Sequence, residues 1–127
     1  MTKLELDYDL YFSLYIRHRD CPDGRGYCIT CGAPITPKTC DCGHYIGRAH
    51  KATRWDERNC HAQCKNCNER LEGLIPVYRK VLIRLYGLPT VEELERKKRT
   101  VFKLSRSEML DRINYYKRLI RNVQQFK

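Results

Sequence analysis

Apolar and aromatic residues recur at helical spacing between Leu4 and Asp20, with Leu6, Leu10 and Leu14 on one stripe and Tyr11 and Tyr15 beside it. This pattern predicts an amphipathic helix ended by the turn-forming run Cys21-Pro22-Asp23-Gly24. From Tyr27 to Gly73 the chain is rich in Cys, Gly, His and Asn and loses helical periodicity until about Ala62, as expected of turns and a short hairpin. Helical spacing returns at Leu74, Val77, Tyr78, Val81, Leu82 and Leu85, and Gly87 with Pro89 should stop that helix. Thr90-Val91-Glu92-Glu93 and Ser105-Arg106-Ser107-Glu108 both read as capping boxes, so two more helices are expected. The last should run from about Arg106 to Gln125 on a stripe of Met109, Ile113, Tyr116, Ile120 and Val123.

A chain of 127 residues has a modest core, so a staple is expected. Eight cysteines could supply it as disulfides or as metal ligands. Charged residues interrupt every apolar run in the first twenty positions, so no signal peptide is expected, and no run approaches the ~20 apolar residues of a membrane span. A cytoplasmic, reducing compartment follows as the expectation, favouring metal over disulfides, with no membrane partner. Lys and Arg outnumber Asp and Glu by 25 to 15, a formal charge of +10 that makes nucleic acid the first candidate partner.

Cys28-Ile29-Thr30-Cys31-Gly32 and Cys64-Lys65-Asn66-Cys67 are C-x-x-C pairs whose four thiolates can complete one zinc tetrahedron. The first pair fits a knuckle turn and the second stands where a helix begins, a treble-clef-like arrangement. A thioredoxin-like dithiol reading lacks the surrounding strand-helix-strand pattern and leaves the second pair unexplained. Cys21, Cys40, Cys42 and Cys60 read by default as small buried residues, with Cys40 and Cys42 as an alternative second metal pair.

Between the pairs stand Asp41-Cys42-Gly43-His44-Tyr45 and Asp56-Glu57-Arg58-Asn59-Cys60-His61, and Asn68 directly follows Cys67. A histidine, an asparagine before a helix and a third residue on the helix, organised by a zinc knuckle, resemble the HNH (His-Me finger, ββα-metal) endonuclease superfamily. Within it, Ile16 to Asp20, Cys28 to Gly32, Gly43 to Tyr45, Asp56 to Asn59 and Cys64 to Asn68 resemble, in order, motifs of the NinG (Rap) family of lambdoid phage recombination proteins. The likeness runs from about Tyr8 to Tyr86. The resemblance begins within the first helix, so the family's amino-terminal extension with further cysteines, and any targeting role it has, is not expected here.

The resemblance implies cleavage of branched recombination intermediates such as Holliday junctions and D-loops. It implies His44 as general base, Asn59 as the residue orienting His44 and its loop, and Asn68 as a ligand of a catalytic Mg2+ or Mn2+. Gly43 stands where many such enzymes carry a second ligand, which leaves Asp41 and His61 as alternatives. The chemistry agrees: an imidazole titrates near working pH, and a hard cation wants oxygen donors. Each residue also has a plainer reading, as a structural histidine, a turn or helix cap, or a solvated carboxylate.

Arg48, His50, Lys51 and Arg54 on the loop after His44, then Arg70, Arg79, Lys80 and the run Arg96-Lys97-Lys98-Arg99, are candidate phosphate contacts. They predict recognition of DNA shape and strong salt dependence. Tyr8, Tyr11, Phe12 and Tyr15 could stack on unpaired bases, although core is the expectation at their spacing. Two symmetric nicks favour a homodimer, for which Tyr115, Tyr116 and Ile120 offer an interface, and recombination proteins are further candidate partners.

The expected architecture is therefore α+β and one domain. It has an N-terminal helix (4–20), a zinc-stapled ββα-metal core (21–73) and a helical extension (74–127). The rival functions are a non-catalytic zinc-finger DNA-binding protein and a recombination adaptor.

Overall fold

A computed structural model describes residues 1–125; the last two positions of the expected 74–127 extension lie outside the described residues. The chain is α+β, with small antiparallel sheets enclosed by helices. Helix α1 (Lys3–Asp20) starts where the Thr2 hydroxyl accepts the Glu5 amide at 3.1 Å, and Arg17, His18 and Arg19 complement the dipole at its end. The buried stripe is Tyr8, Phe12 and Ile16, whereas Leu6 and Leu10 are exposed. Two stripes of this helix are apolar at i, i+4 spacing, and the one with greater aromatic area is covered. Tyr8 stacks on Trp55 with ring centroids 4.3 Å apart, and Phe12 meets Tyr116 edge-on at 5.3 Å.

Strands β1 (Gly26–Tyr27) and β2 (Pro34–Ile35) pair around the knuckle turn, which Gly32 closes at φ +76°, a region that favours glycine. Strands β3 (Cys40–His44) and β4 (Cys60–Cys64) form the central hairpin, with Cys40 opposite Cys64, Cys42 opposite Ala62 and His44 opposite Cys60. Cys64 thus ends a strand, and helical backbone begins only after it, later than the periodicity near Ala62 suggested. A wide turn over Asn66–Arg70 follows, closed by the Leu71 amide on the Asn66 carbonyl at 3.0 Å.

The outer edge of β4 is covered by the end of α1 and by the knuckle. The Asp20 carboxylate accepts the Ala62 amide at 2.8 Å, Arg19 donates to the Cys60 carbonyl at 2.8 Å, and the Ile29 amide donates to the Ala62 carbonyl at 3.0 Å. The Ile16 to Asp20 motif is therefore a clamp between helix and hairpin.

The loop joining the two long strands carries the single turn α2 (Lys51–Arg54). Helices α3 (Ile75–Tyr86) and α4 (Leu88–Lys97) pack Tyr78, Leu82, Val91 and Leu94 against Tyr45 and Ile46 of that loop. The box expected at Thr90 is not formed: α4 starts after Gly87 with Pro89 in its first turn, which needs no amide donor there. Glu93 instead meets Arg58 at 3.4 Å. The box at Ser105 is formed, with reciprocal bonds of 3.0 and 3.1 Å to Glu108 opening α5 (Arg106–Gln125). Ile113 and Tyr116 bury against α1 and Ile120 is also buried, so two of the three residues suggested for a dimer seam are spent within the chain, while Tyr115 is exposed. No helix among the described residues is long and apolar enough to cross a membrane.

Candidate functional site

The knuckle turn presents Cys28 and Cys31, and the end of β4 with the turn after it presents Cys64 and Cys67. Their four sulfurs lie within 4.8 Å of one another. Cys31 and Cys64 are 3.7 Å apart, close to the roughly 3.8 Å edge of a tetrahedron built on Zn–S bonds of about 2.3 Å. Burial pushes the Cys28 thiol up, but the Cys31, Cys64 and Thr30 amides and the Thr30 hydroxyl outweigh it and bring the group down to about 6. The cluster could hold a metal such as zinc.

Beside it opens a cleft of about 650 Å³. Helix α1 supplies Asp9, Ser13 and Arg17, one polar stripe at i, i+4, i+8; β3 supplies Asp41, Cys42 and His44, and the turn after Cys67 supplies Asn68 and Glu69. The His44 Nε2 lies 2.9 Å from the Arg54 carbonyl oxygen, which fixes the ring. Burial drives the His44 imidazole below its ordinary pKa, the Arg54 carbonyl and Asp9 pull it partly back, and Arg48 lowers it further, so the ring is neutral near pH 7. With Nε2 donating to Arg54, the basic nitrogen is Nδ1.

Asp41 accepts from Lys65 at 2.7 Å and from the Asn68 amide at 2.9 Å. Burial raises its pKa, but these two partners outweigh burial, and the group lies below the usual carboxylate value. Asn59 is fully buried outside the cleft. Its amide oxygen accepts the Ile46 amide at 2.8 Å, and its nitrogen donates to the Ile46 and Thr53 carbonyls at 3.0 and 3.1 Å. It braces the loop whose Arg54 carbonyl holds His44.

His61 is not brought to the cleft. It points from the opposite face of β4 and its ring nitrogens meet the Tyr78 and Tyr86 hydroxyls at 3.1 and 2.7 Å. Burial, reinforced by Arg19, pushes its pKa down to about 4. Tyr78 in turn donates to the Gly43 carbonyl at 2.7 Å, tying α3 to the residue before His44. Gly43 faces Gln63 so closely that an added Cβ would stand 2.2 Å from its amide oxygen, which accounts for the absence of a side chain there.

The candidate DNA contacts separate into free and engaged groups. Arg70, Lys80, Arg96 and Arg99 are exposed, and Arg48 lines the cleft, exposed but within 3.8 Å of the Asp9 carboxylate. Lys98 is half-buried. Lys51 pairs with Glu5 at 3.3 Å, Arg79 with Glu95 at 2.9 Å and Lys97 with Asp56 at 2.8 Å. Arg54 is a correction: it is 3% exposed, forks onto the Asp9 carboxylate and lies under the Trp55 ring, so no phosphate can reach it. The cleft also gains Arg17, Lys38 and Lys65, which the charge runs did not single out. Of these, Arg17 alone has a local signal, the polar i, i+4, i+8 spacing of Asp9, Ser13 and Arg17 on α1.

A family model described as "Bacteriophage Lambda NinG protein" matches residues 3–126. The chain is 41% identical to "Protein ninG" of Salmonella phage P22 over 80 residues, 62% of this chain and 36% of that protein. It is 41% identical to the protein of that name from Escherichia phage 933W and 40% identical to that from Escherichia phage lambda, each over 80 residues, covering 62% of this chain and 37% and 36% of those proteins. The chain thus spans little more than a third of the length of these relatives. No solved structure matches it. With nearly every residue of the chain inside the family match, it belongs to the bacteriophage lambda NinG family.

Proposed function

We propose that the chain is a metal-dependent DNA endonuclease with an HNH-type ββα-metal core, acting on branched or recombination-derived DNA. The observation that carries this reading is that Asp41, His44 and Asn68 line one cleft beside the four-cysteine cluster. The cysteine cluster, holding zinc, fixes the hairpin relative to the turn that bears Asn68. His44, pinned through Nε2, accepts through Nδ1 the proton of the attacking water.

The donors present fit a hard divalent cation. Asp41 offers carboxylate oxygens, and Asn68, whose amide nitrogen donates to Asp41 at 2.9 Å, would offer its amide oxygen once the amide turns over. Bound there, Mg2+ or Mn2+ would supply neutralisation of charge on the scissile phosphate and its leaving oxygen. Asn59 holds the loop in place, and Arg17, Lys38 and Arg48 hold the flanking phosphates without reading bases. Hydrolysis on this plan leaves a 5′ phosphate and a 3′ hydroxyl.

The test is cleavage of a labelled four-way junction and a matched duplex, with Mg2+ or Mn2+, by the wild-type protein and by His44→Ala. Metal-dependent cutting that disappears in a folded, DNA-binding His44→Ala protein is the expected result. Binding without any cutting by the wild type would replace this reading with that of a non-catalytic zinc-finger protein, and weak, salt-insensitive binding with that of an adaptor.

A further inference from the structure

The central hairpin carries a second group of metal-ligating side chains, apart from the four cysteines of the knuckle. Cys42 and His44 lie two residues apart on β3, and His44 is paired across the ladder with Cys60 on β4. All three therefore project from one face of the hairpin, and their ligand atoms lie within 4.8 Å of one another. Cys60 is fully buried, whereas Cys42 and His44 line the cleft.

We propose that Cys42, His44 and Cys60 form a second metal site, selective for a thiophilic divalent ion such as Zn2+ or Cd2+. Two sulfurs and one imidazole are a soft donor set, unlike the oxygen pair Asp41 and Asn68 on the same cleft. Three protein ligands leave a fourth position, filled from the cleft by water or an anion. Binding is balanced by release of the two thiol protons to solvent as Cys42 and Cys60 become thiolates. The ligands stand on paired strands, so little ordering is needed to bring them together.

The functional consequence rests on the endonuclease reading. A neutral imidazole has a single basic nitrogen, and coordination uses it whichever nitrogen binds. Metal binding at this site and proton acceptance by His44 therefore exclude each other, and a thiophilic ion would switch the base off.

The site is tested without reading cleavage. The reduced, metal-free full chain is titrated with Cd2+, followed by 113Cd NMR and elemental analysis. Wild-type protein should take up two equivalents and show two resonances, one from an all-sulfur site and one from a mixed sulfur–nitrogen site. Cys42→Ala/Cys60→Ala protein should take up one and keep only the all-sulfur resonance. Saturation of the wild type at one equivalent, or a mixed-ligand resonance that persists in the double variant, would overturn the proposal. Should the double variant not fold, the two wild-type resonances still decide: the second must move on His44→Ala substitution, and a second resonance indifferent to it would refute the site. Failure of DNA cleavage leaves this result unaffected, so the two ideas fall separately.

Discussion

Removing the Asp9 carboxylate should cost the protein much of its stability, because it strands the Arg54 guanidinium in the interior. Arg54 is 3% exposed, donates through two nitrogens to Asp9, and has Glu5 at 3.8 Å as its other carboxylate; Asp9 also accepts the Trp55 indole N–H at 2.9 Å. Breaking one partner of such a buried pair costs about 3–5 kcal/mol, whereas replacing both by apolar groups costs much less. At about 2.1 cal/mol/K of unfolding entropy per residue, 127 residues give roughly 0.27 kcal/mol/K, so a loss of about 3 kcal/mol lowers Tm by about 11 °C. The assay is urea and thermal unfolding of zinc-saturated wild type, Asp9→Ala, Arg54→Met and the double variant. Asp9→Ala should be the least stable, and adding Arg54→Met should restore part of the loss. An Asp9→Ala cost under about 1 kcal/mol would refute a buried, paired Arg54. So would an Arg54→Met protein of wild-type stability whose only defect is weak DNA binding.

Other expectations concern the cysteine cluster, the loop brace and pH. Cys64→Ser should lose the all-sulfur metal and unfold the knuckle half, seen as one metal equivalent fewer and reduced far-ultraviolet dichroism; full metal content would contradict the ligand assignment. Asn59→Ala leaves the buried Ile46 amide and Ile46 carbonyl without their partner and should cost roughly 2–5 kcal/mol in urea unfolding; an effect within ~0.5 kcal/mol would show that the loop is not held there. Burial raises the Asp56 pKa, but hydrogen bonds from Arg58 and Lys97 outweigh it, and the folded value lies below the ordinary 3.8. Its contribution is therefore present above that value and is lost as pH falls through the depressed folded one. The unfolding midpoint should drop more steeply between about pH 5 and pH 2 in wild type than in Asp56→Asn, and parallel curves would contradict the linkage.

Much of the framework was legible because it rests on local rules. The two C-x-x-C pairs announced the sulfur cluster, Ser105 and Glu108 the start of α5, and the Ile113, Tyr116 and Ile120 spacing its buried face. The failures share a cause: a local pattern cannot tell which of two competing partners the tertiary structure will supply. Leu6, Leu10 and Leu14 form as regular a stripe as Tyr8, Phe12 and Ile16, and only Trp55 and α5, remote in sequence, decide which is covered. Arg54 sits in a basic loop, yet a carboxylate 45 residues earlier takes it inward. Thr90 satisfies the capping pattern, but Gly87 and Pro89 begin the helix before it. His61 was read with the neighbouring Asn59 along the chain, while strand alternation sends it to the face of Tyr78 and Tyr86.

The clamp that the end of α1 places on β4 bears on how the protein can be cut down. A two-stranded hairpin is marginal alone in water, and its free edge is a template for pairing with other chains. Asp20 and Arg19 occupy that edge through the Ala62 amide and the Cys60 carbonyl, from some forty residues earlier in sequence. A fragment beginning at the knuckle would thus keep all four cysteines of the cluster and every cleft residue on β3, yet expose an unpaired strand edge. Such a minimal core is expected to self-associate, and α1 belongs to the smallest unit worth expressing.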